Sequence, residues 1–135
     1  MQRDYLLREI EKIGAMLRML IRRAVEQKDK NEEETETEEL LNDFAAESGF
    51  EIDELLNSGK EELDEIVNIK NGFNPENTEY LGDFLVELAE ISELVEKPRY
   101  LLKALELYQI IDEKTHTFSL LRAKKMDSIR NSLKN

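Results

Sequence analysis

One histidine and no cysteine stand among the 135 residues, and that bounds the chemistry open to the chain. His116 alone cannot build a two-histidine metal site or a histidine dyad, and without thiols there is no thiolate nucleophile, zinc ligand or redox pair. A Ser-His-Asp triad is possible in composition only, because His116 lies in the polar run Lys114-Thr115-His116-Thr117, where an exposed turn residue is expected. Glu87, Glu90, Glu93 and Glu96 recur every third residue, a period that drifts around a helix, and the Glu-x-x-His pairs of di-iron bundles are missing. The glutamates at 32–34, 36, 38 and 39 lack the alternating ligands and glycine of a calcium loop. Glycine occurs singly, at positions 14, 49, 59, 72 and 82, so no loop can cradle phosphate. These residues assign no catalytic, cofactor-binding or metal-ligating position, and the chain reads as a protein that is not an enzyme and needs no cofactor.

Charge is distributed unevenly. Residues 1–30 carry eight Lys or Arg against five Asp or Glu, residues 31–97 carry three against twenty-two, and residues 98–135 carry eight against four. Basic ends should attract the acidic middle, within one chain or between two copies, and the net charge of −12 disfavours nucleic acid. The basic residues near the end, Arg122, Lys124, Lys125, Arg130 and Lys134, are therefore expected to pair with the acidic middle. No stretch approaches the roughly 20 uncharged apolar residues of a membrane span. Charges rather than an apolar run follow Met1-Gln2-Arg3-Asp4-Tyr5, and with cysteine absent a cytoplasmic location without membrane attachment is expected.

Few glycines and prolines and many good helix formers predict an all-α fold: a single domain, built as a bundle of about five to seven helices. The first helix should run from Asp4 to about Gln27, with Tyr5, Leu6, Ile10, Ile13, Leu17, Leu20, Ile21 and Val25 on one broad face. At some 36 Å it is longer than one small hairpin can cover, so Leu17, Leu20, Ile21 and Val25 are the expected interaction surface, with a second copy of the chain as the natural partner. Residues 28–39 hold no apolar side chain and read as an acidic flexible linker between this helix (1–30) and a bundle at 40–135.

Within that bundle, a short helix from Thr37 presents Leu40, Leu41, Phe44 and Ala45 and should end on a left-handed Gly49. Asp53 is a candidate cap for the next turn, and Glu61 to Lys70 should then run helically through Leu63, Ile66 and Ile69 to Gly72. Asn74-Pro75 opens a helix expected to reach Lys97 through Tyr80, Leu81, Phe84, Leu85, Leu88, Ile91 and Leu94 or Val95. Pro98 starts another, and 98–133 reads as a helical hairpin. Its first helix carries Tyr100, Leu101, Ala104, Leu105, Leu107, Tyr108 and Ile111, its second Phe118, Leu121, Met126, Ile129 and Leu133, and Tyr108 and Phe118 are both assigned to the core.

Three segments together resemble a family of uncharacterised bacterial proteins that carry a domain of unknown function: Asp4-Tyr5-Leu6-Leu7-Arg8-Glu9-Ile10-Glu11, Gly49 to Leu56 with Glu61-Glu62-Leu63, and Tyr100 to Tyr108. The resemblance implies an all-helical fold with a tetratricopeptide-like C-terminal hairpin, and no activity. The step from Ala104 to Tyr108, with Ile111 a turn later, is similar to the second helix of such a repeat, while Leu88, Ile91 and Ser92 upstream lack the aromatic positions. One such unit is fewer than the three or so a solenoid needs, so a repeat-like hairpin inside a bundle is expected.

Two function classes follow. The first is a non-enzymatic protein–protein interaction or scaffold module, a homodimer with an unidentified further partner. Its alternative is a bundle that binds a small molecule or metal in a regulatory role, which requires a pocket with convergent polar groups such as Tyr80, Asp83 and Glu87.

Overall fold

Local capping signals start and stop most of the helices. Asn74 accepts a hydrogen bond from the Asn77 N–H at 2.8 Å through its Oδ1, and Pro75 occupies the first helical position, where a missing N–H costs nothing. Gly49 and Gly72 take φ of 82° and 87°, and His116 takes 52° to end a helix in the same left-handed region, its N–H donating to Asp112 O at 3.0 Å. The structure, a computed structural model, describes residues 2–30 and 34–135. These form α1 (Gln2–Lys30), α2 (Glu34–Ser48), α3 (Ile52–Asn57), α4 (Lys60–Ile66), α5 (Pro75–Ile91), α6 (Lys97–Thr115) and α7 (Leu120–Lys134), with a 3-10 turn at Ile69–Asn71 and no strand among the described residues.

Helix α5 is the central element, packed along α1 on one side and α6 on the other, while α2 lies against α1 and the short α3 and α4 lie against α6. One apolar core joins Ile13, Leu17, Leu20 and Ala24 of α1, Leu40 and Phe44 of α2, Leu81, Phe84, Leu85 and Leu88 of α5, and Ala104, Leu107, Tyr108 and Ile111 of α6. Phe44 and Phe84 meet with ring centroids 6.0 Å apart. Close approach of α5 to α6 depends on Gly82, where a Cβ would sit 2.7 Å from the Tyr108 ring. Asn77 closes the α1–α5 seam, its Nδ2 donating to Ile10 O and Gly72 O, both at 2.8 Å.

Several sequence expectations are corrected. The expected linker at 28–39 is helix at both ends, Lys28 to Lys30 closing α1 and the glutamates from Glu34 opening α2; positions 31–33 lie outside the described residues. Glutamate is a good helix former and its charge favours the first turn of a helix, so an acidic run need not be a linker. Thr37 is inside α2, where its Oγ1 accepts from Gln27 Nε2 at 2.7 Å and ties the two helices together. Residue Glu51 rather than Asp53 is the cap of α3, with its N–H donating to Glu54 Oε1 at 3.4 Å. The run from Glu61 to Lys70 breaks after Ile66, because Asn68 leaves the helical conformation and accepts from the Lys70 N–H, which leaves Ile69 exposed.

Helix α5 stops at Ile91, well short of Lys97. Ser92 takes an extended backbone and its hydroxyl donates to Ala89 O at 3.2 Å, so the chain turns through Glu93–Glu96 and leaves Leu94 86 % exposed. At the other end of the hairpin, Ser119 caps α7 by accepting from the Arg122 N–H at 3.1 Å, so Phe118 lies outside the helix and 80 % exposed rather than in the core. Leu121, also assigned to the buried stripe, is 65 % exposed. Tyr108, Met126 and Ile129 are buried as expected.

Candidate functional site

The stripe expected to bind a second copy is largely consumed within the chain. Leu17 is fully buried and Leu20 nearly so, both in the core shared with α5 and α2, which removes them from any free surface; Ile21 is half-buried and Val25 sits at the edge of exposure. The long first helix finds cover in α2 and α5 within the chain.

Helix α7 supplies the open face instead. It packs on α6 and reaches α5 through two long cations, in the sense expected of a basic end pairing with the acidic middle. Arg122 is buried, with Nε donating to Asp112 Oδ1 at 2.7 Å, Nη1 to Glu79 Oε1 at 3.1 Å and Nη2 to Thr117 O at 3.1 Å. One turn later Lys125 Nζ lies 2.8 Å from Glu79 Oε2 and 3.0 Å from Asp83 Oδ1, the same oxygen that accepts from Tyr108 Oη at 2.6 Å. Burial disfavours the ionised form of Glu79, but Lys125 and Arg122 outweigh it and hold the carboxyl below its usual range. The same carboxylates overcome burial at Lys125 and Arg122 and push both upward, and the Tyr108 hydroxyl is driven upward by burial and by Asp83. Lys124, Arg130 and Lys134 do not join this network; Arg130 pairs with Asp127 in its own helix at 3.4 Å.

Beyond that clasp, α7 stands off from α5 and leaves a cleft of about 520 Å³. Its floor is apolar, from Ile21, Val86, Leu101, Leu121 and Ile129, and its walls carry Asp83, Glu87 and Glu90 on α5 and Lys124 and Lys125 on α7. Leu101 and Ser132 also line a second cleft of about 410 Å³ with Leu94, Pro98 and Leu133, so the two adjoin alongside α7. From Leu121 to Leu133 that helix is about 18 Å long. Of the polar groups expected to converge, Asp83 and Glu87 do so, whereas Tyr80 lies elsewhere, 5.6 Å beneath the Arg18 guanidinium and donating to Glu76 Oε1 at 3.2 Å. Tyr108, read from the sequence only as core, takes its place in the cleft. Nothing in the periodicity marks that role, since the ring is buried and meets the ions through its hydroxyl and through Lys125, 5.7 Å from its centroid.

Glu87 is the exception among the carboxylates of the α5 wall. Asp83 has Lys125 and Tyr108, and Glu90 has Lys28 at 3.5 Å, but Glu87 makes no ion pair or side-chain hydrogen bond among the described residues. Burial raises its pKa, and Glu90, Asp83 and Asp29 add to the rise against the opposing pull of Lys28. A carboxyl whose folded pKa lies above its unfolded value destabilises the fold when ionised, fully so above the folded pKa, and the penalty fades as pH falls through it. Glu87→Gln is therefore expected to stabilise the chain slightly at neutral pH, the effect being small because water still reaches the group. Thermal melts at neutral and acid pH check this: the gain should shrink in acid, and an equal gain at both would contradict it.

Among the described residues, no group of three or more His, Cys, Asp or Glu is placed to hold a metal ion, and no helix is long and apolar enough to cross a membrane. His116 is exposed in the α6–α7 turn. Fold and groove together define an all-α bundle with an amphipathic groove along its last helix. Comparison with protein-family models, with curated proteins and with solved structures finds no match to the chain.

Proposed function

We propose that the chain is a non-enzymatic protein–protein interaction module and that the groove along α7 is its recognition face. The observation that carries this is the character of the two clefts: an apolar floor bounded by charge, lined in part by exposed Leu121 in the first and exposed Leu94 and Leu133 in the second. A closed small-molecule site needs none of that exposed apolar rim. The hairpin of α6 and α7 supports the same reading, as does the resemblance to a family with a tetratricopeptide-like C-terminal part. With Leu17 and Leu20 inside the core, a different protein is a better occupant than a second copy. A cytoplasmic setting completes the proposal.

A photo-crosslinking side chain placed at Ser128, exposed on the lining of the cleft, tests it in living cells. Adducts with another protein are expected, and they should disappear when Leu121→Asp is added without loss of helicity. Adducts of twice the chain's mass would assign the groove to a second copy, and adducts indifferent to Leu121→Asp would remove the groove from recognition.

A further inference from the structure

Resting on that reading, we infer that the groove's occupant is an amphipathic helix of another protein whose apolar stripe is bordered, on the side that meets α5, by lysine or arginine. Size and charge carry the argument. Two clefts of about 520 and 410 Å³ adjoin along α7, which spans about 18 Å from Leu121 to Leu133, so a second helix of about three turns matches that span, and an apolar floor calls for side chains at three-and-four spacing. Along the α5 wall, Asp83, Glu87 and Glu90 recur at one-turn spacing, so they present a row of carboxylates to whatever lies beside them.

Two of those carboxylates are already met from within the chain, and Glu87 is not. A half-buried carboxylate left without a cation costs stability, and a cation brought by the occupant would remove that cost while gaining a charge-assisted hydrogen bond. The Glu87 pKa is raised by burial and by Glu90, Asp83 and Asp29, and Lys28, which pairs with Glu90, offsets only part of that rise. On the opposite wall Lys124 also makes no ion pair among the described residues, so the α7 side of the groove suits an acidic or neutral flank. The asymmetry fixes the orientation of the bound helix about its own axis.

A second copy of the chain does not fit these demands. The outward stripe of α1 does carry Arg8, Lys12 and Arg22 around Met19, but Glu11 and Glu26 interrupt it. At a net charge of −12, two copies repel each other at long range, while a cationic helix is drawn in.

Fluorescence-detected binding of two labelled peptides tests the inference with the full chain. Each is an amphipathic helix of about 14 residues with a leucine stripe. One is bordered by lysine on one side, the other by glutamate at the same positions. The lysine-bordered peptide should bind, Glu87→Gln should weaken it about fivefold to tenfold, and Glu61→Gln, on an exposed surface outside the groove, should leave it unchanged. Leu121→Asp should abolish binding of the same peptide. Equal weakening by Glu87→Gln and Glu61→Gln would overturn the inference, since it would mean diffuse attraction to an acidic surface. Binding lost with Leu121→Asp but indifferent to Glu87→Gln, or preference for the glutamate-bordered peptide, would overturn the cationic assignment and leave the groove as a recognition face. Failure of both peptides to bind would overturn the two readings together.

Discussion

Leu17→Asp is expected to unfold the chain. The Leu17 side chain is fully buried between α1, α2 and α5, so an aspartate there loses the leucine's packing and places a carboxylate where no partner can reach it. Truncation to alanine at such a site costs about 3 kcal/mol, and the unpaired charge adds several more, against a total stability of about 5–15 kcal/mol for a domain. Loss of most helicity by circular dichroism at 25 °C is the expected result, with Leu17→Ala still folded but melting earlier. Full helicity with a change only in solution mass would mean that the stripe lies at an interface.

The second large effect is expected at Arg122. Replacing it by methionine keeps much of the volume but strips the guanidinium from Glu79 and Asp112 and the donor from Thr117 O. Removing one member of a buried ion pair costs about 3–5 kcal/mol; because both carboxylates retain partial access to water, about 2–3 kcal/mol is expected here. That corresponds to a fall in Tm of about 10 °C. The damage should be local, so amides of α7 should exchange with solvent faster while those of α5 stay protected.

The pH dependence follows from the same ions. Glu79, held low by Lys125 and Arg122 against its burial, contributes stability above the ordinary carboxyl range, and this is lost as pH falls through its lowered folded value. Lys125 and Arg122 are held high, so their contribution persists below their ordinary values and disappears only as pH rises through the raised ones. Arg122→Met should flatten the acid limb of the stability profile. An unchanged acid limb would mean that the clasp contributes little.

How far the sequence revealed this fold depends on whether the signal was local. Asn74-Pro75, Gly49 and the turn around His116 were legible because each ends or starts a helix through its own backbone and nearest neighbours. The stops at Ser92 and Asn68 were not, since a side chain competing for a backbone group looks the same in sequence whether or not it wins. Apolar periodicity placed Tyr108 on an inward face correctly, but it also placed Phe118 and Leu121 there and reserved the buried Leu17 for a second copy, because spacing identifies a stripe and says nothing of what covers it. Charge patterning foretold that the basic end would meet the acidic middle. Which ions meet depends on how α7 lies beside α5, so the choice of Glu79 and Asp83 was beyond reach. Asp83 and Glu87 were named with Tyr80 as groups that a pocket would need, and Tyr80 lies elsewhere; the stand-off of α7 that turns their wall into a cleft is a property of packing alone.

Mass in solution, by light scattering at low and at high salt, tests most directly whether the apolar stripe of α1 is closed within the chain and the groove along α7 kept for a different protein. A monomer of 15.8 kDa is expected at both salts. A dimer that persists in high salt would contradict this, because apolar burial between two copies would then be covering one of these faces.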